Sequence, residues 1–245
     1  CLTSDRDILK TIYFQILDNH MGAFDKAFKD LPLRLINATM SVFLGIVNSA
    51  AFMPTAKKFH YQFNLRDFSK IVQNLMLAQP HLYKGNPLGL ARMWAHECHR
   101  VWRDRLITDA DRELYEGFMQ NGMKEFPDMK PEEITSEPLL YTSYVLACEG
   151  HEANYVPIKD MESLKGVLEA KLEEYNENVG SMNLVLFDQA MEHISRIARI
   201  IHLPVGSALC VGVGGSGKQS LSKLSSFILG YDVVRIVVTS SYKLA

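Results

Sequence analysis

The run Gly212-Val213-Gly214-Gly215-Ser216-Gly217-Lys218 restricts the possible folds of this chain more than any other. It fits the pattern G-x-x-x-x-G-K, whose glycines let the backbone curl so that its N–H groups point inward at phosphate oxygens. An apolar stretch from Ser207 to Val211 predicts a strand before the loop, and Gln219 to Leu229 predicts a helix after it. The helix N-terminus adds partial positive charge, and the Lys218 ammonium can reach the terminal phosphates of a nucleotide. The expected phosphate-binding set is therefore Gly212, Val213, Gly214, Gly215, Ser216, Gly217, Lys218, Gln219 and Ser220.

The same glycines also satisfy G-x-G-x-x-G through Gly212, Gly214 and Gly217. A dinucleotide fold needs an acidic residue at the end of its second strand to hold the ribose. Here the second apolar run, Val233 to Val238, ends in Thr239-Ser240-Ser241, and Asp232 lies at its beginning. Lys218 has no role in that fingerprint either, so the P-loop reading is preferred. One position departs from it. Gln219 stands where a Ser or Thr hydroxyl usually binds Mg²⁺, with Ser220 next, so the metal ligand is left unknown.

The rest of the chain predicts a mainly α protein with a small α/β part. Ser4-Asp5-Arg6-Asp7 resembles a capping box ahead of Ile8, Leu9, Ile12, Ile16 and Leu17. Leu33 to Ala51 is apolar on most sides, as in a helix buried in a bundle. Leu65, Phe68, Val72 and Leu75 recur at helical spacing before Pro80, and Leu90, Trp94, Val101 and Trp102 mark a helix opening at Pro87. Asp109 to Phe126 is a weaker amphipathic stretch. The section with Pro127, Pro131 and Pro138 predicts a boundary between two lobes, residues 1–133 and 134–245. Beyond it come an acidic helix, Lys159 to Tyr175, and a helix carrying Leu184, Phe187, Met191, Ile194, Ile197 and Ile201. Both strand runs are continuously apolar, which suits a parallel sheet covered on two faces.

Composition excludes several classes. With 245 residues and a net charge of -2, nothing favours nucleic acid or an anionic membrane as partner. No apolar run is read as approaching the roughly 20 residues that span a bilayer. Cys1, Cys98, Cys148 and Cys210 form no C-x-x-C pair and read as reduced, buried thiols of an intracellular protein. His96-Glu97-Cys98-His99 invites a metal reading, but the zinc-protease spacing puts its second His at position 100, which is Arg100. Packed or solvated side chains are expected there. Glu169, Lys171, Glu173, Glu174 and Glu177 read as a solvated helix face. The chain begins at Cys1 without an initiator Met, and no acidic strand end follows Lys218. The expectation is a piece of something larger that does not hydrolyse ATP alone.

Three stretches together resemble the motor ring of dynein heavy chains, AAA+ ATPases with six modules in one polypeptide. They are Lys58 to Asp67 (KFHYQFNLRD), Met93 to Cys98 (MWAHEC) and Gly212 to Leu221 (GVGGSGKQSL). The register resembles the end of the third module, its helical lid, followed by the start of the fourth. The form G-K-Q-S-L is similar to the axonemal branch. The resemblance implies ATP or ADP with Mg²⁺ as cofactors, neighbouring modules and other dynein subunits as partners, and microtubules reached through a distant domain. It implies an ATP-hydrolysing motor of the cytoplasm, cytoskeleton and ciliary axoneme, with the fourth module regulating rather than powering movement. It also implies that Arg66 is the sensor-2 residue of the preceding module, and that Val156, Pro157 and Ile158 pass near the adenine of the next. The rival reading is a stand-alone P-loop protein with an N-terminal helical interaction module.

Overall fold

The computed structural model describes residues 6–204 and 206–236. The chain divides into two compact units, residues 1–141 with 154–157, and residues 142–153 with 158–245. The Ser4-Asp5 end of the expected capping box lies outside the described residues.

The first unit is a helical bundle. Helix α1 spans Arg6–Met21 and α2 Leu31–Val47, with a proline in the first turn of α2, where a missing N–H costs nothing. Helix α3, Leu65–Leu75, starts with a complete capping box between Asn64 and Asp67. A short α4, Pro80–Tyr83, leads to α5, Pro87–Val101, which opens at the expected proline with the Asn86 side chain accepting from Gly89 N–H. Helix α6, Asp109–Met123, is capped by Thr108, and α7, Pro131–Ile134, is a single turn.

Helices α2 and α6 form the most extensive pair, and α5 lies among α2, α3 and α7. A Cβ on Gly122 of α6 would come within 2.8 Å of the Val42 side chain, so a glycine lets the two helices approach closely. Trp94, Trp102, Phe68, Tyr115 and Phe126 are fully buried in the shared core. The Trp94 indole N–H donates to Thr39 Oγ1 at 2.9 Å, which satisfies its one polar atom inside the core.

One correction follows from α2. The stretch Lys26–Val47 is long and apolar enough to cross a membrane by length and composition. Of its most apolar window, 56% is buried within the fold. A helix covered on several sides by others needs apolar residues nearly all round, and so passes the same test.

A two-stranded sheet pairs β1, Tyr141–Thr142, with β2, Val156–Pro157. The second unit contains α8, Val145–Cys148, α9, Met161–Asn178, α10, Asp188–His202, and α11, Lys218–Ile228. Its core holds Leu164, Leu168, Met191, Ile194, Ala198, Leu221 and Leu224. Tyr175 meets Phe227 edge-on at 5.2 Å, and Ser225 Oγ donates to the Ile194 carbonyl at 3.2 Å, joining α11 to α10. Helix α10 starts later than its apolar pattern suggests, with Leu184 and Phe187 in the preceding extended segment.

The expected strand at Ser207 to Val211 is not formed, nor is the described part of the second, residues 233–236. Leu209, Val211, Val234 and Ile236 are 72–86% exposed. An interior strand exists only when neighbours complete its hydrogen-bond ladder, and among the described residues none pairs with these runs. Val237 and Val238 lie outside the described residues.

The thiols also differ from expectation. Cys98 is buried, and burial raises its pKa, but Cys148 is half-buried and Cys210 exposed. Cys210 lies in the run 207–211, which forms no strand and is exposed.

Candidate phosphate-binding loop

Gly215 and Gly217 have φ of 78° and 77°, a left-handed conformation that costs other L-residues roughly 1–2 kcal/mol. These two residues turn the chain sharply into α11, for which Gly217 is the N-cap. The first N–H groups of any helix lack intrahelical acceptors, and here they open at the mouth of the loop. Loop residues 212–216 are exposed.

Lys218 lies at the first position of α11, and its side chain folds back over the loop. Its ammonium donates to the carbonyls of Gly212 at 2.7 Å and Val213 at 2.6 Å, and to Ser216 Oγ at 3.0 Å. A Cβ on Gly212 would stand 3.0 Å from Ser216 Oγ and 3.7 Å from the ammonium nitrogen, so this glycine keeps the concave side clear. The residues fit a phosphate group: a curled backbone, a helix N-terminus and a cation converge on one small space. Gln219 is exposed and Ser220 half-buried one position further along the helix. Ser222 Oγ is turned away, donating to the Lys218 carbonyl at 2.8 Å.

Arg66 is exposed in the first turn of α3, held there through its backbone N–H, which donates to Asn64 Oδ1 at 2.9 Å. Asp67, beside it, is not its partner. The Asp67 carboxylate accepts from the Asn64 N–H and is clamped bidentately by Arg105. Arg105 was missed in the sequence because it lies 38 positions away with no periodic relation to α3.

Val156 and Pro157 belong to the first unit, whereas Ile158 and the glycine loop belong to the second. The structure brings together residues 212–220 and describes the other sequence-predicted residues within their own units. A half-open cavity of about 230 Å³ in the first unit is bounded by Tyr83, Asn86, Arg92, Tyr141, Val156 and Pro157.

His96 and Glu97 are fully buried and hydrogen-bonded inside the core. Among the described residues no cluster suits a metal ion. On α9, Glu169, Glu173, Glu174 and Glu177 are exposed and Lys171 half-buried, with Lys171 paired to Glu174 at 2.7 Å.

A helical lid followed by a P-loop segment defines an AAA+ protein. Residues 35–136 match the AAA+ lid domain family, and residues 182–245 match the family described as P-loop containing dynein motor region D4. The chain belongs to the dynein heavy chains, as part of their motor region. It is 44% identical over 240 residues to the "Dynein beta chain, flagellar outer arm" of Chlamydomonas reinhardtii. It is 41% identical over 241 residues to "Dynein axonemal heavy chain 11" of Sus scrofa and 40% identical over 240 to "Dynein axonemal heavy chain 17" of Homo sapiens. These alignments cover 96–97% of this chain and about 5% of each relative. The stand-alone P-loop reading is thereby set aside.

Proposed function

We propose that residues 212–220 bind the phosphates of ATP or ADP as a regulatory site of an axonemal dynein motor ring. The observation that carries this reading is the Lys218 ammonium lying over a loop turned by two left-handed glycines at a helix N-terminus. A bound nucleotide supplies an energy-rich phosphoanhydride. The chain's own part is to cradle phosphates on backbone N–H groups and to present Lys218, whose three loop acceptors would give way to phosphate oxygens. Gln219 offers only an amide oxygen in place of a hydroxyl, so Mg²⁺ would rest mainly on water and phosphate.

In this reading residues 1–133 form the lid of one module and residues 134–245 begin the next. Arg66, exposed at the start of α3, serves as the sensor of the preceding module's nucleotide. The assignment of Val156, Pro157 and Ile158 to the adenine rests on the family resemblance. Neighbouring modules, microtubules, other dynein subunits and an axonemal location are partners and setting of the whole motor. Photolabelling of the intact heavy chain with 8-azido-ADP, followed by peptide mapping, tests the reading. Label within residues 156–158 or 212–220 is expected. Label confined to other modules at saturating nucleotide would overturn it.

A further inference from the structure

A polar cluster in the middle of an apolar core calls for a reason, because burying ionisable groups is costly unless they are paired. His96 and Glu97, on the central helix α5, are both fully buried. His96 Nδ1 lies 3.0 Å from the Leu139 carbonyl, and Nε2 lies 3.0 Å from the Tyr155 hydroxyl. Tyr155 donates to Glu97 Oε1 at 2.6 Å, and Asn74 Nδ2 donates to Glu97 Oε2 at 2.5 Å.

A carbonyl only accepts, so Nδ1 carries a proton. The Tyr155 hydroxyl bridges His96 Nε2 and Glu97 Oε1, which lie 3.8 Å apart. Each partner is thus specified by chemistry as well as by shape. A phenylalanine at position 155 would fill the space and take that hydroxyl from both His96 and Glu97.

The arrangement joins two separate points of the chain. Leu139 stands where the chain approaches β1, and Tyr155 stands immediately before β2. Residues 142–153, between them, belong to the second unit, while 154–157 belong to the first. One imidazole therefore holds both the exit and the return of the backbone. Tyr141 adds to the same joint, its ring 5.2 Å from His96 and 5.8 Å from Tyr155, with its hydroxyl donating to the Gly89 carbonyl at 2.9 Å.

We infer that His96, Glu97 and Asn74 form a buried clasp that fastens Tyr155, and with it the strand leading into the P-loop segment, to the lid of the preceding module. Packing alone does not explain polar side chains at these fully buried positions. A clasp does, since it accepts only a hydroxyl and so fixes the register of the returning strand. The clasp holds the two ends of the excursion, at Leu139 and Tyr155, on α5 within the first unit.

The experiment is hydrogen exchange with mass spectrometry on the intact heavy chain, comparing the parent with Tyr155→Phe, Glu97→Gln and Tyr13→Phe. Tyr13 is the control: its hydroxyl lies 2.6 Å from Ser69 Oγ, between α1 and α3 and outside the clasp. Loss of a hydroxyl that two buried groups share should speed exchange of the Tyr155, Val156 and Ile158 amides roughly tenfold to a hundredfold. Peptides of α2 and α6 should stay as slow as in the parent, and Tyr13→Phe should leave residues 154–158 unchanged. If Tyr155→Phe does not fold, Glu97→Gln carries the test, with the same localised acceleration expected. Unchanged exchange at 154–158, or the same acceleration spread over the whole lid, would overturn the proposal. Because this readout involves no nucleotide, its failure is distinct from failure of the P-loop reading.

Discussion

Lys58→Met offers a sharp test of what holds the loop that leads into α3. Asp111 is buried at the start of α6, and its carboxylate accepts from Lys58 Nζ at 2.8 Å and from the Tyr61 hydroxyl at 2.9 Å. Lys58 also donates to the Ala51 carbonyl at 3.1 Å and lies 5.2 Å from the centre of the Tyr61 ring. These contacts hold the loop that leads into α3. Methionine keeps most of the stem but leaves a buried carboxylate without its cation. With side-chain exposures of 22% and 6%, the pair is partly screened, so a loss of about 2 kcal/mol is expected rather than the 3–5 of a fully buried pair. For a unit of this size that is about 4–8 °C in Tm.

Acid supplies the decisive control. Burial alone would raise the Asp111 pKa, but hydrogen bonds from Lys58, Thr108 and Tyr61 bring it below its ordinary 3.8. A depressed folded pKa contributes stability that is present above 3.8 and lost as pH falls through the folded value. In Lys58→Met the main lowering partner is gone and burial dominates, so protonation should relieve the variant. The difference between parent and variant should therefore shrink below about pH 4. Urea unfolding followed by tryptophan fluorescence reads this unit directly, because both tryptophans, Trp94 and Trp102, are in its core. A penalty that is equal at pH 7 and pH 3.5 would refute the charge argument.

Other outcomes follow from the same geometry. Asn64→Ala removes the cap of α3 and should cost about 1 kcal/mol in the same unfolding assay; a change under about 0.3 would mean that Arg105 and Asp67 hold that helix start without it. Arg66→Ala should leave stability within about 0.5 kcal/mol, since the side chain is exposed, while slowing steady-state ATP turnover of the intact motor; unaltered turnover would remove the sensor assignment. Gln219→Thr should steepen the Mg²⁺ dependence of nucleotide protection at residues 212–220, because a hydroxyl at that position can enter octahedral coordination. A parent already as Mg²⁺-dependent as the variant would show that Gln219 is a neutral replacement.

The helices were legible because their signals are local. Pro87 opens α5 and the Asn64–Asp67 capping box opens α3, each within a few residues of the boundary it sets. The glycine loop was legible for the same reason, since Gly215 and Gly217 set their own backbone angles. What sequence did not show depends on distant partners. Arg105 on Asp67 and Tyr155 on His96 and Glu97 join residues 38, 59 and 58 positions apart, with no period that announces them. The apolar runs 207–211 and 233–236 carry the composition of buried strands, but composition cannot supply the neighbouring ladder. Leu209 and Val234 accordingly stand exposed.

The central claim is that Lys218 and its loop hold nucleotide phosphates. Hydrogen exchange of the peptide spanning residues 212–220, followed in the intact heavy chain across an ADP titration, measures this at the site itself. The parent should show saturable protection there. Lys218→Ala should need at least tenfold more ADP for the same protection, which corresponds to about 1.4 kcal/mol for one charge-assisted phosphate contact. Protection with the same midpoint in parent and variant, or none in either at saturating ADP, would contradict the account.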